Sequence, residues 1–266
     1  MGARFRVDVL ALAVLLGAAA LPHGVRAQWW ENVPRKIPLA ANGEPDLAAP
    51  APRTKDGHPD LAGIWNPHTN KYLRNIAADL KPEDVPFQPW ARKVADERAD
   101  GSHSREDPDA NCLPQGVPRI GAAPAPWKFV QTEGLIVVVH EAFSLWRQIF
   151  LDGRKLASNA NPSWLGYSTG RWEGDTLVVD SRGFNGKTWL DQVGKPTTDK
   201  LHVIERYTRK DFGHMDLEIT IDDPGAYTRP WTVKQDLTLL ADTELLEFIC
   251  NENNRDLEHL PGKPLQ

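Results

Sequence analysis

Apolar and polar residues alternate along much of the second half of the chain, which is the pattern of a β-strand with one buried face. Met215, Leu217, Ile219 and Ile221 alternate with polar residues, and the segment that begins at Trp231 repeats the pattern. Short turns containing Asp or Gly separate these segments. The pattern predicts eight strands, at residues 135–139, 145–151, 167–172, 176–180, 201–209, 215–222, 231–239 and 244–250.

Consecutive strands joined mainly by tight turns form a meander, and a meander of eight strands removes its exposed edges by closing. The sequence therefore predicts a mainly β protein: an antiparallel up-and-down barrel of the lipocalin or calycin type, or a strongly curved sheet. The interior of such a small barrel is wide enough for one small ligand.

Proline divides the chain into two parts. Residues 28–126 contain fifteen prolines, whereas residues 127–266 contain six. Because proline is excluded from helix interiors and central strands, we expect 28–126 to be a largely irregular segment that wraps around a barrel domain formed by 127–266. Short helices are predicted in the wrapping segment at 70–80 and 89–99.

The first 27 residues have the organisation of a secretory signal peptide. Arg4 and Arg6 precede an apolar run at 9–21, and Val25 and Ala27 provide a cleavage site before Gln28. The alternative is a membrane anchor, but the run is shorter than the roughly 18–20 residues that span a bilayer. We therefore expect a periplasmic or secreted protein without membrane insertion after removal of the signal.

The charge of the chain disfavours anionic partners. The net charge is −5, and removal of residues 1–27, which carry three arginines and one aspartate, makes it −7. An acidic chain without a basic cluster is not expected to bind nucleic acid. The sequence predicts no particular oligomeric state.

Cys112 and Cys250 are the two cysteines of the chain. In an oxidising compartment the expected state of such a pair is a disulfide. The alternatives are two separate buried thiols and, least favoured, a catalytic thiol.

Four sequence blocks together resemble a widespread group of exported bacterial proteins. They are residues 56–65 (DGHPDLAGIW), 151–154 (LDGR), 170–180 (GRWEGDTLVVD) and 248–253 (FICNEN). The resemblance implies export and brings no reaction with it. Gly63 and Trp65, followed by a predicted hairpin, are also similar to the corresponding part of lipocalin-type barrels.

The motifs of common enzyme classes are absent from the sequence. It contains no HExxH, CxxC, GxSxG, GxGxxG or P-loop motif, and its histidines lack the close spacing of metal ligands. We therefore expect no metal and no cofactor.

Polar residues near the predicted strand ends are the candidate site. Asp191 and Glu205 are candidate general acid/base residues, because burial in a barrel raises the pKa of a carboxyl group. Arg154 would orient a carboxylate or bind an anionic substrate. The alternatives are a turn role for Asp191, an outward Glu205, and pairing of Arg154 with Asp152. The candidate ligand-binding residues are Trp146, Trp164, Trp172, Tyr207 and His140.

Three functions remain open. The first is a cofactor-independent lyase, isomerase or hydrolase acting on a small hydrophobic or aromatic compound. The second is a periplasmic protein that binds such a compound without chemistry. The third is a structural or assembly protein.

Overall fold

A nine-stranded closed barrel is the centre of the fold. The computed structural model describes residues 37–156, 161–252 and 254–265, and the barrel lies within these ranges. Its strands are β1 (Gly63–Pro67), β2 (Trp127–Gln131), β3 (Leu135–His140), β4 (Trp146–Phe150), β5 (Tyr167–Glu173), β6 (Thr176–Arg182), β7 (His202–Arg209), β8 (His214–Asp222) and β9 (Trp231–Leu239). The predicted signal peptide lies outside the described residues.

Each strand pairs with the next, and β9 pairs with β1 to close the barrel. The pairs are antiparallel except β4 and β5, which run parallel. The predicted mainly β barrel is thus confirmed, with one parallel pair in place of a purely antiparallel meander. The connection from β4 to β5 is longer than a hairpin turn and returns to the end of the barrel at which β4 begins, so β5 runs in the same direction.

The alternation of apolar and polar residues correctly identifies the residues that are buried in the core. In β8 the residues Met215, Leu217, Ile219 and Ile221 are buried, whereas their polar neighbours are exposed or half-buried. In β9 the residues Val233, Leu237 and Leu239 are buried in the same way, and so is Gln235, a polar residue at an inward position. One face of each strand therefore fills the barrel.

The predicted strand at 244–250 is wrong. This segment has no regular secondary structure and belongs to no ladder, and Leu246, Phe248 and Ile249 are exposed. The reason is that β9 already pairs with β8 and β1, so it has no free edge for a further strand. β1 and β2, which the alternation did not predict, complete the barrel.

The proline-rich segment contributes β1 and covers both ends of the barrel. Residues 47–49 bond to the β7–β8 turn through the backbone of Phe212 and Gly213. Residues 86–88 bond to the β8–β9 connection at the other end, through Ala226 and Thr228. The segment has two α-helices in its described part, α1 (Lys71–Arg74) and α2 (Pro89–Arg98). The first is shorter than predicted and the second agrees with the prediction to one residue.

A disulfide joins Cys112 to Cys250, as predicted. It links the proline-rich segment to the chain after β9 across a sequence separation of 138 residues. Within the described ranges, no helix combines the length and the apolar character needed to cross a membrane.

Candidate functional site

Five inward-pointing polar side chains form a cluster in the barrel, which we call the interior cluster. They are Arg147 on β4, Ser168 on β5, Ser181 on β6, and Glu205 and Tyr207 on β7, and all five are buried. Their position follows from strand register, because Ser168 lies opposite Ser181, and Glu205 and Tyr207 share one face of β7.

The polar atoms of the interior cluster are well partnered. Arg147 donates to both carboxylate oxygens of Glu205, at 3.2 Å from Nη1 to Oε1, and to the hydroxyls of Ser168 and Ser181 at 3.3 and 3.1 Å. The Tyr207 hydroxyl donates to Glu205 Oε1 at 2.7 Å. Burial favours the neutral guanidine, but the Glu205 carboxylate outweighs it and raises the pKa of Arg147. Burial and the same carboxylate raise the pKa of Tyr207. The cluster therefore holds a buried ion pair at neutral pH.

The interior cluster crosses the weakest seam of the barrel. β4 and β5 are in register at two positions, Ile149 with Ser168 and Phe150 with Thr169, fewer than any other neighbouring pair in the described barrel. Arg147 starts on β4 and bonds to side chains on β5, β6 and β7. The guanidinium thus adds side-chain bonds across the β4–β5 seam, where backbone pairing is short.

His140 lies beside this cluster in the barrel interior. Its ring is 6.2 Å from that of Trp127, and both of its nitrogens are buried without a hydrogen-bond partner among the described residues. Burial, with a contribution from the charge of Arg147, lowers the pKa of His140 to about 3. The imidazole is therefore neutral at pH 7, and a proton acceptor of such low pKa is a weak base.

Asp191 and Arg154 lie outside the interior cluster. Asp191 is fully buried in the β6–β7 connection, where Oδ2 accepts from the Ile76 N–H at 3.0 Å and from Lys195 Nζ at 2.9 Å. Arg154 is exposed and donates from Nε to Asp152 Oδ1 at 2.8 Å. Arg154 therefore pairs with Asp152, which is the alternative to its predicted role in the site.

The predicted ligand-binding tryptophans also lie apart. Trp146 is exposed on the outer face of β4, with 62% of its surface accessible. Trp172 stacks on His58 and borders a cavity of about 520 Å³ at the end of the barrel where β5 ends. Trp164 borders a different cavity, near the start of β5.

This cavity beside Trp164, which we call the end cavity, has a volume of about 690 Å³. That is within the roughly 300–1,000 Å³ typical of ligand pockets. Its apolar lining residues are Pro108, Leu113, Trp164, Trp189, Pro264 and Leu265. Its polar lining residues are Arg98, His103, Glu106, Lys187 and Lys263.

Five segments of the chain build the end cavity: the end of α2, the loop at 103–113, the β4–β5 connection, the β6–β7 connection and the tail at 263–265. The disulfide at Cys112 is adjacent to Leu113 and ties this loop to the chain that leads into the tail. The tail is also bonded directly to the loop, since the Arg105 N–H donates to the Pro261 carbonyl at 2.8 Å.

Asp191 supports one wall of the end cavity. It accepts from the Lys195 N–H at 3.2 Å, which fixes the loop between Trp189 and Pro196. In that loop the Gly194 carbonyl accepts from Arg98 Nη1 at 3.2 Å. Gly194 has φ +86°, and an added Cβ would lie 2.5 Å from the Cβ of Arg98. The close approach of loop and helix therefore requires glycine here.

The electrostatic character of the end cavity is cationic. The guanidinium of Arg98 stacks on Trp189 at 4.1 Å from the ring centroid, and burial lowers its pKa. Among the described residues, His103 and Glu106 form an ion pair between lining side chains. No carboxylate of the described residues lies within 4.0 Å of the ammonium group of Lys187 or Lys263. The cavity thus combines indole rings with cations that face solvent.

Sequence reasoning missed Arg147 and the polar residues of the end cavity. Arg147 is two residues before Ile149 in a predicted strand, so the period of two would have placed it on the inward face. No comparable pattern exists for Arg98, His103, Lys187 and Lys263, because they come from loops distant in sequence. In the described ranges, no group of three or more His, Cys, Asp or Glu side chains is arranged to hold a metal ion.

No protein-family model, no curated protein and no solved structure matches this chain. The function of the chain is therefore inferred from the chemistry of the interior cluster and the end cavity.

Proposed function

We propose that the protein binds a small planar anion in the end cavity. The observation that carries this proposal is the presence of two indole rings, Trp164 and Trp189, in one cavity with the cations Arg98, Lys187 and Lys263. Indole faces favour flat, apolar ligands, and the guanidinium and ammonium groups favour a carboxylate or a similar anionic group. The ligand class is thus an aromatic or otherwise planar carboxylate.

The contacts of Glu205 and Asp191 favour support over acid/base chemistry. Both carboxylate oxygens of Glu205 accept hydrogen bonds from Arg147, and both oxygens of Asp191 accept from Lys195 or Ile76. The oxygens of both side chains are thus already occupied by hydrogen bonds within the protein, which is typical of a structural role. A catalytic role for these two residues, with Arg154, stays a prediction of the sequence.

We also propose that the protein is exported and belongs with the exported bacterial proteins that its blocks resemble. The disulfide supports this compartment, since disulfides persist in oxidising environments. N-terminal sequencing of the protein from a periplasmic fraction should begin at or near Gln28. Recovery of a chain that retains Met1 from the cytoplasm would contradict export.

The binding proposal is tested by calorimetric titration with 2-naphthoate and with the neutral analogue 2-naphthylmethanol. Trp164→Ala should weaken naphthoate binding about tenfold, which corresponds to about 1.4 kcal/mol. Lys187→Gln should weaken binding of naphthoate and leave that of the alcohol unchanged, because it removes charge alone.

Trp146→Ala is the matched control, since Trp146 is an exposed tryptophan outside the end cavity. It should bind naphthoate like the unaltered protein. Equal affinity for the anion and the alcohol, or the absence of saturable binding, would overturn the proposal.

A further inference from the structure

A histidine and a carboxylate form a pair on the wall of the end cavity. His103 Nδ1 lies 2.9 Å from Glu106 Oε1, and both residues line the cavity. Within the described residues, the other ring nitrogen of His103, Nε2, takes part in no hydrogen bond, and 37% of the side chain is accessible. The pair thus presents one unused nitrogen in a cavity that also contains indole rings and cations.

The local backbone fixes this pair. Gly101, at φ +81°, turns the chain after α2, and the Ser104 N–H donates to its carbonyl at 3.1 Å. A 3₁₀ turn at Ser104–Glu106 follows, which brings side chains three positions apart to the same side. The Asn111 side-chain amide donates to the carbonyls of Arg105 and Asp107 at 2.9 and 3.0 Å, and these hydrogen bonds stabilise the turn.

The carboxylate determines which nitrogen of His103 is basic. Burial opposes the ionisation of Glu106, but hydrogen bonds from His103 and from the Lys263 N–H outweigh it and lower the pKa of the carboxyl group. The ionised carboxylate accepts a hydrogen bond, so Nδ1 carries the proton and Nε2 of the neutral ring carries a lone pair. A base oriented in this way by a carboxylate is a recurrent arrangement in proton transfer.

We propose that the end cavity catalyses a cofactor-independent isomerisation, with His103 as the general base and Glu106 as the residue that positions it. The proposal rests on the planar-anion binding described above. The substrate class is a planar anion in which the C–H bond lies between a carbonyl group and a carbon–carbon double bond.

The reaction needs no further reactant. The C–H bond breaks, the proton forms an N–H bond at His103 Nε2, and the electron pair moves into the carbonyl group to give an enolate. Because the carbon–carbon double bond of the substrate extends this enolate to a dienolate, the imidazolium then returns the proton to the γ-carbon, which yields the isomer with a shifted double bond. The ammonium groups of Lys187 and Lys263, which line the same cavity as His103, would stabilise the enolate charge.

The test uses 5-nitro-1,2-benzisoxazole, a planar probe whose ring opens when a base removes its C–H proton. The C–H and N–O bonds break, and the product is a cyanophenolate followed by its absorbance. His103→Gln keeps a hydrogen-bonding side chain but removes the base, and it should lower kcat about a hundredfold or more, the usual scale for loss of a general base. Glu106→Gln should lower kcat with little change in KM, a split that a purely structural role would not produce.

His259→Gln is the matched control, because His259 is exposed and lies outside the end cavity. It should leave the rate unchanged. Naphthoate titration of each variant separates the two proposals. Two outcomes overturn the catalytic inference alone. In the first, the His103→Gln variant binds naphthoate and opens the probe as fast as the unaltered protein. In the second, the unaltered protein binds naphthoate but does not open the probe. An unaltered protein that does not bind naphthoate overturns the binding proposal.

Discussion

The interior cluster and the end cavity both contain arginine and a carboxylate, but their charged side chains differ in hydrogen bonding and in accessibility to solvent. In the interior cluster, Arg147 donates to a carboxylate and two hydroxyls and is almost inaccessible to solvent. In the end cavity, Arg98 bonds to a carbonyl and stacks on an indole, beside Lys187 and Lys263. From this comparison we infer that a charged cluster with unfilled hydrogen-bonding capacity favours a ligand-binding role, and one with filled capacity favours a structural role.

The largest effect that the comparison predicts follows from Glu205→Gln. The substitution leaves Arg147 buried without its counter-charge, and removal of one partner of a buried pair costs about 3–5 kcal/mol. Urea unfolding should show this loss, and the folded fraction should still bind 2-naphthoate. A stable Glu205→Gln variant that no longer binds naphthoate would reverse the roles of the two regions.

Two further variants complete this test. Replacing both partners, as Arg147→Met with Glu205→Leu, should recover most of the lost stability, because apolar side chains of similar volume can replace a buried ion pair. Arg154→Gln breaks the exposed pair with Asp152 and should leave the free energy of unfolding almost unchanged.

The disulfide should affect both the stability and the end cavity. Changing Cys112 and Cys250 together to serine should lower the free energy of unfolding by about 2–4 kcal/mol, because the bridge restricts the unfolded chain. It should also weaken naphthoate binding, since Lys263 and Leu265 of the tail line the cavity. Unchanged affinity would show that the tail holds its position without the bridge.

His140 should make the stability of the barrel pH-dependent. Its pKa in the folded protein is about 3, below the roughly 6.5 of an unfolded histidine. The unfolded chain therefore binds the additional proton between these values, so stability is lost as pH falls below about 6.5, by up to about 1.4 kcal/mol per pH unit. Between pH 6.5 and 5 the loss is about 2 kcal/mol.

Unfolding of a His140→Phe variant over the same pH range checks this expectation. The variant keeps a buried ring but has no group to titrate, so its stability should change less between pH 6.5 and 5. An identical pH dependence in both proteins would assign it to other groups.

The sequence predicts the barrel wall better than the site. Seven strands follow from local alternation and turns, since each hairpin is a short-range structure. β1 and β2 were not predicted, because proline dominates the composition around β1 and β2 is a short strand directly after Pro126. The exposed segment at 244–250 has strand composition but finds no free edge.

The candidate site was predictable only in part, for physical reasons that differ by residue. The inward phase of Glu205 depends on which face of β7 meets the core, which a period of two alone leaves undecided. Trp164 lines the end cavity and Asp191 supports its wall, but the cations around them, Arg98, Lys187 and Lys263, come from three segments. Their proximity depends on tertiary packing and on the disulfide, for which no local pattern exists.

The pairing of β1 with β9 has a consequence for the order in which the chain folds. Trp65 lies opposite Leu239, so the two strands that close the barrel are distant in sequence, and β9 is the last of the nine strands to be synthesised. Contacts so distant in sequence form slowly, and until they form, the edges of β1 and β9 are open to pairing with other chains. We therefore expect closure to be a late step of folding, and the nascent chain to depend on protection from aggregation until β9 has emerged.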